Sequence, residues 1–70
     1  MTRGEAMRAA RLSAGLSLEE LAEKAGVQKN TIGRIEREEH IGRIDTIELL
    51  ADVLGLSIDE YIGREVPRNG

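Results

Sequence analysis

Leucines, isoleucines and alanines recur at intervals of three or four residues, in short groups that polar residues and glycines separate. One such group would share a single helix face: Leu18, Leu21, Ala22 and Ala25. Ile32 and Ile35 have the same spacing further along the chain. This period is typical of amphipathic helices. Because the only aromatic residue is Tyr61 and the apolar set is mostly Leu, Ile and Ala, the chain is predicted to be all-α.

Local sequence signals indicate where these helices begin and end. A hydroxyl residue stands three positions before a glutamate, as in a capping box, at Thr2–Glu5, Ser17–Glu20 and Ser57–Glu60. Glycines that suit the left-handed position after a helix are Gly15, Gly26 and Gly55. Five helices are therefore predicted, near residues 3–14, 18–25, 28–37, 45–54 and 58–62.

The chain length indicates one domain, residues 1–62, followed by a polar tail, residues 63–70, that we expect to be flexible. A domain of this size buries only about 60% of the surface of its unfolded chain. There is no cysteine and a single histidine, His40, so neither a disulfide nor a protein-only metal site is expected. Packing alone, or packing with a partner, must stabilise the fold.

Neither catalysis nor membrane insertion finds support in the sequence. His40 is isolated in a charged segment, and no catalytic set or phosphate-binding glycine loop can be assembled around it. No apolar run approaches the ~20 residues that span a bilayer, and the N-terminus lacks a signal-peptide core. We expect a soluble cytoplasmic protein that is not an enzyme, needs no cofactor and has no membrane partner.

The net charge of −3 by itself argues against a nucleic-acid partner, but the charges are unevenly distributed. Residues 28–37 hold three cations and one carboxylate: Lys29, Arg34, Arg37 and Glu36. Residues 1–11 hold the same balance: Arg3, Arg8, Arg11 and Glu5. With three positive charges against one negative charge, each segment carries +2.

The segment LSLEELAEKAGVQKNTIGRIE, Leu16 to Glu36, resembles the DNA-binding domain of Cro-like and lambda-repressor-like (XRE-type) regulators. It aligns without gaps to the family pattern, and the resemblance continues through Thr46-Ile47, Leu50-Ala51 and the stretch from Leu54 to Glu60. It covers about residues 5–62. The resemblance implies a compact five-helix domain in which helices two and three form a helix-turn-helix.

Helix three would then present one face to the DNA major groove. With Ile32 and Ile35 pointing into the core, the helical wheel directs Asn30, Gly33, Arg34 and Arg37 outward. Arginine and lysine donate to guanine, asparagine pairs with adenine, and a glycine on this face would let the backbone approach the bases. The alternative is an ordinary solvated helix face.

The helical wheel, the charges and the resemblance together predict further roles within this region. Base contacts are predicted for Lys29, Asn30, Gly33 and Arg34. Contacts to the DNA backbone are predicted for Ser17, Gln28, Thr31, Arg37 and Arg43. Arg11 and Glu36 match a pair that links helices one and three in this family, so a structural ion pair is implied; the alternative is two independent surface charges.

The chain departs from the family pattern at three places. Leu18 replaces a glutamine that commonly contacts phosphate, and Gln28 replaces a common serine cap. Glu38 and Glu39 stand where the family tends to have glycine and a basic residue. These carboxylates would repel phosphate, which Arg43 would partly offset. A lower affinity for each half-site is therefore expected.

The leading hypothesis is a sequence-specific transcriptional regulator, a repressor, that binds a double-stranded DNA operator as a homodimer. The dimer interface is predicted at the C-terminal apolar residues Leu56, Ile58, Tyr61, Ile62 and Val66, unless these residues close the core of the monomer. The rival hypothesis is a protein-interaction module of the same fold that has lost or weakened DNA binding, which Leu18, Glu38, Glu39 and the negative net charge would allow.

Overall fold

A computed structural model of the protein describes residues 2–58 and Tyr61, and its described residues form four α-helices. These are α1 (Arg3–Ser13), α2 (Leu18–Ala25), α3 (Lys29–Glu36) and α4 (Ile44–Leu54). Each helix begins and ends within one residue of its predicted bounds, so the all-α prediction and these four helices are confirmed. The short turn between α2 and α3 completes a helix-turn-helix.

The first two helices begin at complete capping boxes. The Glu5 backbone N donates to Thr2 Oγ1 at 3.2 Å, and the Thr2 backbone N donates to Glu5 Oε1 at 2.8 Å. Ser17 and Glu20 exchange the same two bonds at 3.0 and 2.9 Å. The bonds that each carboxylate accepts from its cap residue lower the pKa of Glu5 and of Glu20. The third predicted box reaches Glu60, which lies outside the described residues.

The core lies where all four helices meet. Its largest fully buried side chains are Met7, Leu21, Ile32, Ile35 and Leu50. Leu18 and Ala22 pack against this core from its edge, as the apolar spacing of α2 predicted, and Val27, which follows this helix, packs there too. Burying these side chains is the main stabilising contribution, at about 1.5–3 kcal/mol for each large one.

Tyr61 belongs to this core, which corrects part of the predicted dimer interface. Its side chain is 2% exposed and is clustered with the apolar residues of α1, α3 and α4. Leu56 and Ile58 are half-buried and pack against the same cluster. A ring enclosed by its own monomer cannot contact a second copy, so Tyr61 closes the core. Ile62 and Val66, like the predicted tail 63–70, lie outside the described residues.

Gly4 allows α1 to pack closely on the end of α3. A Cβ atom at this position would lie 2.6 Å from the Glu36 carbonyl oxygen and 2.9 Å from that of Ile35. It would also lie 2.5 Å from Glu38 Cγ. Real Cβ atoms do not approach backbone oxygens so closely, so only glycine fits here without a shift of the two helices.

The chain leaves α3 through a residue with an unusual backbone conformation. Glu38 has φ of 61°, and it is the only non-glycine residue with positive φ in the described part of the chain. The left-handed region costs an L-residue roughly 1–2 kcal/mol. Thr2 Oγ1 donates a hydrogen bond to the Glu38 carboxylate, and the Glu38 backbone N donates to Ile35 O at 3.0 Å. These bonds hold a conformation that glycine would adopt without strain.

Candidate nucleic-acid interface

The outer face of α3 is polar and mostly cationic. Ile32 and Ile35 are buried on the inner face, as the helical wheel predicted. On the outer face Lys29, Asn30 and Arg34 are exposed. Thr31 is half-buried at the edge of this face. The structure therefore presents three predicted base-contact side chains together on one helix surface.

Gly33 is the exception, because it is buried. The Arg37 side chain, one turn further along α3, covers it: a Cβ atom at Gly33 would lie 3.0 Å from Arg37 Nη1 and 3.8 Å from Arg37 Cζ. A Cβ atom at Gly33 would point away from the core, as the helical wheel predicted, but the Arg37 side chain covers the position in the free protein, and the contact of Gly33 with DNA stays a prediction. Gly33 does not end or kink the helix, because α3 continues through it and the Arg37 N donates to Gly33 O at 3.0 Å.

Gln28 occupies the N-cap position of α3. Its carbonyl oxygen accepts from the backbone N of Thr31 at 3.1 Å and of Ile32 at 3.3 Å. The side chain is exposed and makes no capping hydrogen bond. Because the amide is not used to cap the helix, its donors and acceptor remain available to a ligand at the start of α3.

Three of the predicted DNA-contacting cations are paired with carboxylates of the same chain. Their side chains are all more than half exposed. The pairs join Lys29 Nζ to Glu19 Oε1 at 3.7 Å, Arg37 Nε to Glu39 Oε2 at 2.8 Å, and Arg43 Nε to Asp45 Oδ1 at 3.6 Å. Exposed pairs of this kind contribute little to stability. By contrast, Arg34 forms no ion pair with any residue that the structure describes.

The Arg37–Glu39 pair is the tightest of the three. The hydrogen bond from Arg37 lowers the pKa of Glu39, and the bond to Glu39 raises the pKa of Arg37. Both residues therefore remain charged across the physiological range, and the guanidinium is held beside a carboxylate at the C-terminal end of α3.

Arg11 and Glu36 form a bidentate ion pair between α1 and α3. Arg11 Nε donates to Glu36 Oε2 at 2.7 Å and Arg11 Nη2 donates to Glu36 Oε1 at 3.1 Å. Arg11 Nη1 donates to the Leu16 carbonyl oxygen at 2.9 Å, which adds the α1–α2 turn to the same network. The bond to Glu36 raises the pKa of Arg11. The network fixes the position of α3 against the rest of the domain.

Ser17 and Leu18 stand where α2 begins. Ser17 is exposed, and its oxygen accepts from the Glu20 N, which leaves the hydroxyl hydrogen free to donate. Leu18 is half-buried against the core. The position that departs from the family pattern is therefore used for packing.

Arg8 is a site residue that sequence reasoning missed. It is exposed on α1 and lines a cavity of about 250 Å³ between α1, the first turn of α2, and α3. The lining residues of this Gly33 cavity are Arg8, Arg11, Leu18, Gly33, Glu36 and Arg37. Arg8 lies three positions before Arg11 and so shares its helix face, which is the sequence signal that could have identified it.

Comparison with known proteins identifies the family. The sequence model of the helix-turn-helix family matches residues 7–61. The chain belongs to this family. It is also 32% identical over 65 residues to the immunity repressor protein of Bacillus phage phi105, covering 93% of this chain and 45% of that repressor. The chain thus spans less than half the length of this relative.

Solved structures of SinR have the same fold. The crystal structure of SinR, described as the master regulator for biofilm formation, in complex with DNA is 35% identical, with a TM-score of 0.81 over 87% of this chain and 98% of that chain. The N-terminal DNA-binding domain of SinR from Bacillus subtilis is 32% identical, with a TM-score of 0.80 over 96% of each chain. SinR in complex with the SinI protein is 37% identical, with a TM-score of 0.79 over 84% of this chain and 58% of that chain.

No helix among the described residues is long and apolar enough to cross a membrane. Within the same residues, no group of histidine, aspartate and glutamate side chains is arranged to hold a metal ion.

Proposed function

We propose that the protein is a sequence-specific DNA-binding transcriptional regulator, a repressor, that reads the major groove with α3. The observation that carries this proposal is the exposed face of Lys29, Asn30 and Arg34 on a helix that the Arg11–Glu36 pair holds in place. The phage immunity repressor and the DNA complex of SinR, both relatives of this chain, support it.

Each of the three exposed side chains contacts a base of its own. Arg34 donates to the O6 and N7 of guanine, and Asn30 pairs with the N6 and N7 of adenine. Lys29, at the first position of α3, donates to a guanine near the start of the contact. Each well-formed contact distinguishes the right base from the wrong one by about 1–3 kcal/mol.

Contacts to the phosphate backbone set the position of α3 without selecting a sequence. We assign them to Ser17, Gln28, Thr31, Arg37 and Arg43. Ser17 has a free hydroxyl hydrogen and Gln28 a free side-chain amide, whereas Arg37 and Arg43 must first leave Glu39 and Asp45. The carboxylates therefore reduce the affinity for DNA of any sequence.

A homodimer on a two-fold operator would place two copies of α3 about 34 Å apart. With Tyr61 in the core, the interface reduces to the half-buried Leu56 and Ile58 together with Ile62 and Val66. A fifth helix over residues 58–62, within a domain of residues 1–62, would carry part of this surface. Its first turn is supported by the Tyr61 N, which donates to Ser57 O at 2.9 Å.

The second candidate function is a protein-interaction module of the same fold. It is favoured by the ion pairs that occupy Lys29 and Arg37, and by the relative SinR, which has been solved in complex with the SinI protein. Such a module would present the same helices to a protein surface.

A salt series separates the two candidates. Binding to a random-sequence duplex is measured from low to physiological salt, followed by selection of bound sites from a random pool. A DNA-binding regulator shows log K falling with log salt by about 0.9 for each phosphate contact, and the pool converges on one motif. Absence of duplex binding at low salt would reject the regulator and favour the protein-interaction module.

A further inference from the structure

The Gly33 cavity lies between α1, the first turn of α2, and α3, beside the residues predicted to contact DNA. Three arginines and one glutamate line it, so its walls carry a net charge of +2. The glutamate, Glu36, has both oxygens hydrogen-bonded to Arg11, at 2.7 and 3.1 Å. Arg8 and Arg37 are therefore the two guanidinium groups of the cavity that are not hydrogen-bonded to Glu36.

We propose that the Gly33 cavity binds a phosphate of the DNA backbone, which Arg8 from α1 and Arg37 from α3 hold between them. This inference rests on the proposed DNA-binding function and adds Arg8 to the backbone contacts. Guanidinium groups form short, charge-assisted and often bidentate bonds to phosphate oxygens. Arg8 is exposed and makes no ion pair with a described residue, so it meets a phosphate without first losing a partner.

Gly33 keeps this cavity open. The three heavy atoms nearest to where a Cβ would be all belong to the Arg37 side chain, the closest at 3.0 Å. A larger side chain at this position would occupy the space beside the guanidinium and push Arg37 away from α3. The absence of a side chain at Gly33 thus leaves room for the Arg37 guanidinium beside α3.

Glu39 occupies Arg37 in the free protein. Its carboxylate accepts a hydrogen bond from Arg37 Nε at 2.8 Å. A phosphate oxygen that bound the Arg37 guanidinium through Nε would have to replace this carboxylate. Both side chains are more than half exposed, so the pair can exchange for another partner. A DNA phosphate must displace Glu39, which lowers affinity for all sequences alike.

The test is a salt series on a random-sequence duplex with wild-type protein, Arg8→Gln and the control Lys24→Gln. Lys24 is an exposed cation on α2 that lies outside the cavity and makes no ion pair in the described part of the chain. Loss of one phosphate contact should reduce the salt slope by about 0.9, which corresponds to about eight-fold weaker binding at 0.1 M salt. Circular dichroism checks that each variant is folded.

A double-mutant cycle tests the role of Glu39. Glu39→Gln should strengthen duplex binding by about two-fold, the scale of an exposed ion pair, and should have no effect in an Arg37→Gln background. An equal gain in both backgrounds would mean that Glu39 only repels DNA through space, which would overturn its role as a competitor for Arg37.

The outcomes separate this inference from the proposed function. If the wild type binds duplex DNA but Arg8→Gln changes the slope no more than Lys24→Gln, the phosphate site is rejected and the DNA-binding function stands. If the wild type does not bind duplex DNA at low salt, both are rejected.

Discussion

Arg11 and Glu36 are joined by two hydrogen bonds, of 2.7 and 3.1 Å, although 25 residues separate them along the chain. Their side chains are only 11% and 7% exposed. A third bond, from Arg11 Nη1 to the Leu16 carbonyl oxygen, extends the network to the turn between α1 and α2. This network sets the orientation of α3, the helix that we propose reads DNA, relative to α1.

Removing one partner of this ion pair should strongly destabilise the fold. Arg11→Met leaves the Glu36 carboxylate, whose side chain is only 7% exposed, without its partner, a change that typically costs about 3–5 kcal/mol. The free energy of unfolding should fall by this amount, as measured by urea denaturation. The double variant Arg11→Met with Glu36→Met removes both charges and should recover part of the loss.

The exposed pair Arg37–Glu39 provides the matched control for this prediction. Because both side chains are more than half exposed, Arg37→Met should change the free energy of unfolding far less than Arg11→Met does. Equal losses from the two substitutions would contradict a structural role for the buried pair.

Substitution of Gly33 by alanine should stabilise the protein. Gly33 has an ordinary helical conformation, and the three atoms nearest to a methyl group there would belong to the flexible Arg37 side chain. Alanine should therefore raise the free energy of unfolding by roughly 0.5–1 kcal/mol, measured by urea denaturation.

Substitution of Gly4, a second glycine within a helix, by alanine should instead destabilise the protein. The new methyl group would meet the backbone oxygens of Ile35 and Glu36, which cannot rotate away. Overpacking of this kind costs about 1–3 kcal/mol. A loss of stability from Gly33→Ala, or a gain from Gly4→Ala, would show that the packing between α1 and α3 differs from the arrangement described.

Glu38→Gly should stabilise the end of α3. Glycine relieves the strain of the Glu38 backbone at φ of 61°, which is worth roughly 1–2 kcal/mol. Two effects oppose this gain: glycine has more conformational freedom in the unfolded chain, and the hydrogen bond from Thr2 to the Glu38 carboxylate is lost. We expect a net gain of about 0.5 kcal/mol by thermal or urea unfolding. Glu39→Gly, at a neighbour without positive φ, should give no gain; an equal gain at both positions would contradict the strain at Glu38.

The positions of the helices could be predicted because their signals are local. The Thr2–Glu5 and Ser17–Glu20 boxes each act within one turn, and both form as the spacing indicated. Gly26 and Gly55 have φ of 72° and 66° and end their helices where the sequence placed them. Such features need no knowledge of tertiary contacts.

The candidate site was predictable only in part, because burial depends on distant residues. The exposed positions of Asn30 and Arg34 follow from helix periodicity once Ile32 and Ile35 are inside. The burial of Gly33 depends on where the Arg37 side chain lies, and that of Tyr61 depends on packing against core residues distant along the chain. Gly4 and Arg8 acquire their roles only when α1 meets α3.

The central claim, that α3 reads bases, is tested most directly by measuring base preference in three variants. Binding to a selected site and to its single-base substitutions is compared for wild type, Asn30→Ala, Arg34→Ala and Arg43→Ala. Asn30→Ala and Arg34→Ala should each lose about 1–3 kcal/mol of discrimination at particular base pairs, while Arg43→Ala should weaken all sequences alike. A uniform loss from all three variants, with base preference unchanged, would contradict the assignment of α3 as the recognition helix.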